Sequence, residues 1–119
     1  MLVQRLQDCA EFVAGDSTRL RELLHPDKQP IDLRYSLAHA VVAMGQSSTP
    51  HALTTSEVYY ILQGQGEMTI DEEQKIVEPG DAVYIPPHAR QFIRNCGEED
   101  LIFLCIVDPA WRKEDEVIF

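Results

Sequence analysis

Three polar residues in the middle of the chain, His51, Glu57 and Tyr59, lie in short segments with a β-type pattern. Side chains alternate along a strand, so Glu57 and Tyr59 share one face, and His51 and Leu53 share a face where their segment is extended. A carboxylate that is buried on such a face must bind a metal or another cation, accept hydrogen bonds, or remain protonated. The pattern therefore predicts a polar pocket that includes Tyr59 and Leu53, rather than a purely hydrocarbon core.

Two stretches around these residues have a regular spacing of glycine, proline and polar residues. The first, from Gly45 to Gly64, reads G-x5-H-x-L-x3-E-x6-G, and the second, from Gly80 to Asn95, reads G-x5-P-x-H-x2-Q-x3-N. This spacing resembles the paired motifs of the cupin family, G-x5-H-x-H-x3-E-x6-G and G-x5-P-x-G-x2-H-x3-N. The resemblance implies a mainly β protein, a single antiparallel barrel of the jelly-roll type, in which three histidines and a glutamate hold a divalent metal.

The chain keeps only part of the ligand set that this resemblance implies. His51 and Glu57 occupy two ligand positions, but Leu53 and Gln91 occupy the other two, and a leucine cannot coordinate a metal. The Gln91 amide oxygen could bind a metal as a weak donor, or its NH2 group could donate to Glu57 or to a ligand in a metal-free pocket. Both alternatives remain open here. We predict a metal site of His51, Glu57 and Gln91, with Mn, Fe, Ni or Zn as candidate ions and no organic cofactor.

Two further histidines are candidates for the pocket. His88 stands at the position of the family's turn glycine, which predicts a loop without a need for positive φ at that residue. It could replace a missing ligand, lie at the pocket mouth or point to solvent. His39 lies in a run that is apolar on both faces, so we expect it to be buried, either as an additional ligand or as a hydrogen-bonded core histidine.

The pattern outside the motifs predicts the elements that position these side chains. Residues 15–26 have the pattern of a short helix, with Asp16 or Ser17 as its cap, an apolar stripe of leucines, and Pro26 at its end. From residue 35 onward, short β-type runs alternate with turns every eight to twelve positions, which is typical of an antiparallel barrel.

These elements predict a single domain in three parts. They are an N-terminal arm with the short helix (1–34), the barrel (35–107), and a C-terminal tail (108–119) that packs on the barrel through Trp111. Cupin-like barrels often pair, and the apolar arm over residues 1–14 could cover an exposed edge strand. We therefore expect a homodimer.

Composition excludes several classes of partner. The 119 residues carry a formal net charge of −10, which disfavours nucleic acid and anionic membrane surfaces as partners. The longest apolar run is far shorter than the roughly 20 residues of a membrane span, and we find no pattern of an export signal, so a cytoplasmic location is expected. The three cysteines form no CxxC pair, which suits a reducing compartment and argues against a thiolate zinc site.

Three functional hypotheses follow from the sequence. In the first, a divalent metal supports a lyase, isomerase or oxygenase type of reaction on a small polar molecule. In the second, a metal-free pocket binds or senses a sugar-like or carboxylate ligand without chemistry. In the third, the protein is a structural dimer with an inert remnant site. The resemblance to sugar-phosphate isomerase-like cupins points toward carbohydrates, and whether the protein is an enzyme remains open.

Overall fold

The computed structural model describes residues 1–119 and consists of two antiparallel sheets that face each other. The strands are β1 (Phe12–Val13), β2 (Arg19–Leu24), β3 (Ser36–Val42), β4 (His51–Leu53), β5 (Ser56–Gln63), β6 (Gly66–Ile70), β7 (Glu73–Val77), β8 (Ala82–Ile85), β9 (Gln91–Asn95), β10 (Leu101–Asp108) and β11 (Glu116–Ile118). The six-stranded sheet has the order β1-β2-β3-β10-β5-β8, and the five-stranded sheet has the order β11-β4-β9-β6-β7. The predicted antiparallel jelly-roll barrel is thus confirmed.

The predicted helix over residues 15–26 is wrong. Residues 19–24 form β2, which pairs with β3 through contacts such as Leu20 with Ala40 and Arg21 with His39. Pairing with the free edge of β3 satisfies the backbone of this segment and packs Leu20 against the core, which outweighs a weak local helix preference. The only helical elements are single 3-10 turns at Leu6–Asp8 and Lys113–Asp115, and neither is long enough to cross a membrane.

The core lies between the sheets and follows the alternation of the strands. On β10 every second residue is buried, and Phe103 is fully buried against the ring of Tyr59, with 4.4 Å between the ring centroids. Ile61 and Ile93 are also fully buried, one from each sheet. Tyr59 and Phe103 also line a cavity between the sheets.

Four positions of the motifs, Gly45, Gly64, Gly80 and His88, have left-handed backbone, and Gly64 and His88 show what it requires. Gly64 has φ +84°, and a Cβ at this position would lie 2.7 Å from the carbonyl oxygen of Asp100. His88 has φ +71°, so the expectation that its loop avoids positive φ is wrong. The His88 N–H donates to the carbonyl oxygen of Leu53 at 2.7 Å, and this hydrogen bond holds the turn in a conformation that is costly for a non-glycine residue.

The segments outside the motifs complete the barrel near His51. Strand β11 pairs with β4, with Ile118 opposite His51 and Glu116 opposite Leu53. The tail that leads to β11 is held by a hydrogen bond from the Trp111 N–H to the Ser36 hydroxyl at 3.0 Å. Strands β1 and β2 extend the other sheet on the same side. Both termini therefore contribute to the surroundings of His51.

Candidate functional site

A cavity of about 150 Å³ lies between the two sheets, beside the N-terminal strands and the C-terminal tail. Eleven of its 19 lining residues are hydrophobic, and no lysine or arginine is among them. Besides one tyrosine and one cysteine, its titratable side chains are Asp16, Glu22, His51, Glu57 and Glu116. The cavity is thus a mainly apolar chamber with acidic groups on its wall.

His51 presents one ring nitrogen to this cavity. The side chain is 2% exposed, and its Nδ1 lies 2.7 Å from the carbonyl oxygen of Thr49. A carbonyl oxygen only accepts, so Nδ1 must carry a proton. In the neutral ring Nε2 is then an acceptor, and it lies 3.5 Å from Oδ2 of Asp16. His51 therefore offers the cavity a nitrogen that can accept a hydrogen bond or hold a second proton.

Glu57 is buried on the wall of the same cavity. Its only hydrogen bond is to Oε1, which accepts from Nε2 of Gln91 at 2.9 Å. Burial raises the pKa of Glu57 from 4.5 to about 8; the Gln91 hydrogen bond opposes this rise, and the charges of Asp16 and Glu116 add to it. The carboxyl group consequently holds its proton at neutral pH. Its second oxygen, Oε2, has no hydrogen-bond partner within the protein.

Gln91 links Glu57 to Tyr59 behind the cavity wall. The Tyr59 hydroxyl donates to Oε1 of Gln91 at 3.0 Å, while the amide NH2 of Gln91 donates to Glu57. Gln91 is fully buried and does not line the cavity. Of the two roles left open for this residue, the hydrogen bonds match donation to Glu57, and its amide oxygen is already used by Tyr59.

The other candidates divide into those at the cavity and those outside it. Tyr59 and Leu53 line the cavity, as expected for pocket residues. His39 does not, because its neighbour Ala40 takes the inward position on β3 and His39 points out of the sheet between Arg21 and Leu104. Partial burial and the Arg21 charge lower the pKa of His39 there. His88 is exposed, because its turn directs it to solvent.

Two cavity residues, Asp16 and Glu116, were missed by the sequence analysis. Oδ1 of Asp16 accepts from the Thr18 N–H at 3.1 Å and the Thr18 hydroxyl at 2.7 Å. Glu116 accepts from the Trp111 indole N–H at 3.4 Å, and partial burial raises its pKa. The sequence predicted Asp16 as a possible helix cap, and it predicted no pocket role for Glu116 in the C-terminal tail. The only sequence signal for the structure around Asp16 was the Asp-x-Thr spacing, which is typical of a turn closed by a hydrogen bond to the aspartate side chain.

The donor set does not fit the metal that the motif spacing implies. Leu53 has no donor atom, and both polar atoms of the Gln91 amide are already used, because its oxygen accepts from Tyr59 and its NH2 group donates to Glu57. Metal ligands must instead be deprotonated and directed at one point. No three His, Cys, Asp or Glu side chains of the protein are grouped so that they could hold a metal ion.

Comparison with known proteins agrees with the fold and the motif spacing. A family model described as the cupin domain matches residues 38–107, which is more than half of the chain. The protein belongs to the cupin family. An uncharacterised protein of Methanocaldococcus jannaschii is 40% identical over 108 residues, covering 90% of this chain and 86% of the relative.

Two further similarities connect the chain to named enzymes. A glucose-6-phosphate isomerase of Pyrococcus furiosus is 32% identical over 107 residues, covering 85% of this chain but only 51% of the isomerase. The chain thus spans about half the length of that relative. A predicted oxalate decarboxylase from Thermotoga maritima has a TM-score of 0.80 at 21% identity, covering 91% of this chain and 99% of the other. This last similarity shows the fold alone.

Proposed function

We propose that the protein binds a small polar molecule in the barrel cavity and that it does so without a resident divalent metal ion. The observation that carries this proposal is the hydrogen-bonded chain from Tyr59 through Gln91 to Glu57. These hydrogen bonds occupy both polar atoms of the Gln91 amide, the group that would have to complete a metal site, and they fix the orientation of the buried Glu57 carboxyl group at the cavity wall.

Glu57, at the end of this hydrogen-bonded chain, and His51 together supply a donor and an acceptor to one ligand. Because Oε1 of Glu57 accepts from Gln91, the acid proton belongs on Oε2, which can donate to a ligand in the cavity. Nε2 of His51 can accept from the same ligand. A buried carboxyl group and an imidazole in one cavity are also groups that general acid–base catalysis uses, which is consistent with isomerase relatives.

The size and charge of the cavity restrict the ligand. A volume of about 150 Å³ matches that of a cavity that holds a benzene-sized molecule. A phosphate or carboxylate group would meet acidic side chains without a lysine or arginine to balance its charge. The relatives' substrate, glucose 6-phosphate, therefore does not fit this site. The class of ligand expected from the sequence is thus restricted to small molecules without an anionic group.

A thermal-shift assay tests this proposal. We expect EDTA to leave the melting temperature unchanged, whereas erythritol, benzyl alcohol or benzylamine raises it by several degrees, because a ligand that binds only the folded state stabilises it. Ala38→Leu, which fills the cavity from β3, should abolish the shift, while Ala10→Leu, at an exposed position away from the cavity, should keep it. A fall in melting temperature with EDTA, stabilisation by glucose 6-phosphate, or no ligand effect that depends on Ala38 would contradict the proposal.

We also propose that two copies associate through the outer face of the six-stranded sheet. Cross-strand pairing places apolar side chains in rows on this face, away from the cavity: Leu37, Ile106, Val58 and Tyr84 in one row, and Leu104, Tyr60 and Ala82 in the next. Tyr84 and Tyr60 are exposed. The carboxylates at the margins of this face, Asp100 and Asp108, are paired with Arg19 and Arg34 respectively. A chain with a net charge of −10 can therefore approach its copy here with little repulsion.

Light scattering after size-exclusion chromatography checks this association. We expect the wild type to have twice the chain mass of 13.5 kDa, and Leu104→Glu, in the middle of the face, to have the monomer mass. Val117→Glu is the matched control, because Val117 is an exposed apolar residue on β11 in the other sheet. A monomeric wild type at micromolar concentration would rule out the dimer.

A further inference from the structure

We infer that the cavity binds an organic cation, namely a small primary or secondary amine that carries an apolar body. This inference rests on the proposed binding function and names the class of ligand. It goes beyond the motif positions, because Asp16 comes from the N-terminal segment and Glu116 from the C-terminal strand β11.

The charges around the cavity do not balance within the protein. Glu22 is neutralised by the Nζ of Lys28 at 2.7 Å, and Glu57 holds its own proton. Asp16 and Glu116 have no lysine or arginine partner, and a protonated His51 would offset only one of them. Two carboxyl groups therefore lie beside a mainly apolar chamber with one histidine and no lysine or arginine to pair with them, and a cation from outside can supply the missing partner.

The cavity also contains an unused polar group that points to a ligand. Glu57 is 7% exposed and lines the cavity, and its Oε2 makes no hydrogen bond. An oxygen at a cavity wall without a partner in the protein is a place where a ligand atom can bind. An ammonium group has up to three donors for Glu57, Oδ2 of Asp16 and Glu116, and its positive charge favours the ionised form of the Glu57 carboxyl group, which then accepts a hydrogen bond instead of donating one.

The apolar part of the wall favours an organic cation over an inorganic one. Aromatic rings of Phe12, Tyr59, Phe103 and Trp111 line the same cavity. Such rings attract organic cations through their faces and bury the ligand's hydrocarbon. A bare metal ion would leave this surface unused and would find no convergent set of three ligands. An amine with a ring-sized body uses both parts of the wall.

Calorimetric titration with three molecules of the same shape tests the inference: benzylamine, benzyl alcohol and benzoate. We expect benzylamine to bind about tenfold or more tightly than benzyl alcohol, with no binding of benzoate, because one ion pair near a partly buried site exceeds 1.4 kcal/mol. Asp16→Asn and Glu116→Gln should each weaken benzylamine binding several-fold and leave benzyl alcohol unchanged. Glu114→Gln, an exposed change of the same charge in the tail, should have no effect.

The outcomes separate this inference from the proposed function. Equal affinity for the amine and the alcohol, or amine binding that survives both charge-neutralising substitutions, would overturn the cation specificity while leaving a small-molecule pocket. Absence of binding by all three molecules would count against both. Glu116 lies in a short strand at a sheet edge, so Glu116→Gln keeps the test valid if Asp16→Asn disturbs the turn at Thr18.

Discussion

Substituting histidine for Leu53 and for Gln91 together should turn the cavity into a metal site with a dissociation constant in the micromolar range or below, where the wild type binds none. Leu53 is 4% exposed and lies two residues from His51 on β4, while Gln91 is directly opposite His51 on β9. The double change restores the ligand types that the motif spacing implies. Burial keeps Glu57 protonated in the wild type, and the positive charge of a bound metal favours its ionised form, so Glu57 can join the two new histidines and His51 as a ligand.

The measurement is elemental analysis combined with thermal unfolding in Ni²⁺, Mn²⁺ or Zn²⁺. A metal at about 100 times its dissociation constant stabilises a protein by roughly 2.7 kcal/mol, which corresponds to a rise of about 10 °C for a domain of this size. The same double substitution combined with His51→Ala is the control and should lose the metal. Stoichiometric metal in the wild type would refute the donor-set argument, and no metal in the double variant would mean that these positions do not converge on one point.

Stability should fall as the pH rises from about 5 to 8, and Glu57→Gln should remove most of this fall. The pKa of Glu57 is about 8 in the folded protein against 4.5 when unperturbed, so between these values the folded state holds a proton that the unfolded state has released. The stabilisation is complete below pH 4.5 and is lost as the pH passes through 8. Linkage gives a loss of roughly 3–5 kcal/mol over this range for one group.

Urea unfolding at pH 5, 6, 7 and 8 measures this dependence. Glu57→Gln keeps an oxygen that can accept from Gln91 and cannot ionise, so its stability at pH 8 should exceed that of the wild type. Glu73→Gln, at an exposed position on β7, is the matched control and should retain the wild-type slope. Equal slopes for the wild type and Glu57→Gln would show that Glu57 is ionised in the folded protein at neutral pH.

The barrel itself was predictable from the sequence because its signals are local. Alternation along β5 and β10 depends only on which residues face the core, and the turn at Gly64 needs a residue without a Cβ. The motif spacing then identified the family from residues 45–95. The segment at residues 19–24 was misassigned because its strand exists only through pairing with β3, and no local pattern encodes that partner.

The same difference between local and long-range information applies to the side chains around the site. The sequence by itself determined that His51, Glu57 and Tyr59 belong to one pocket and that Leu53 removes a ligand. Only the tertiary structure decided that Gln91 donates to Glu57, that His39 points outward, and that Asp16 and Glu116 join the cavity from both ends of the chain. The physical reason is that protonation and charge balance depend on burial and on groups brought together across long sequence separations, which strand alternation and motif spacing do not specify.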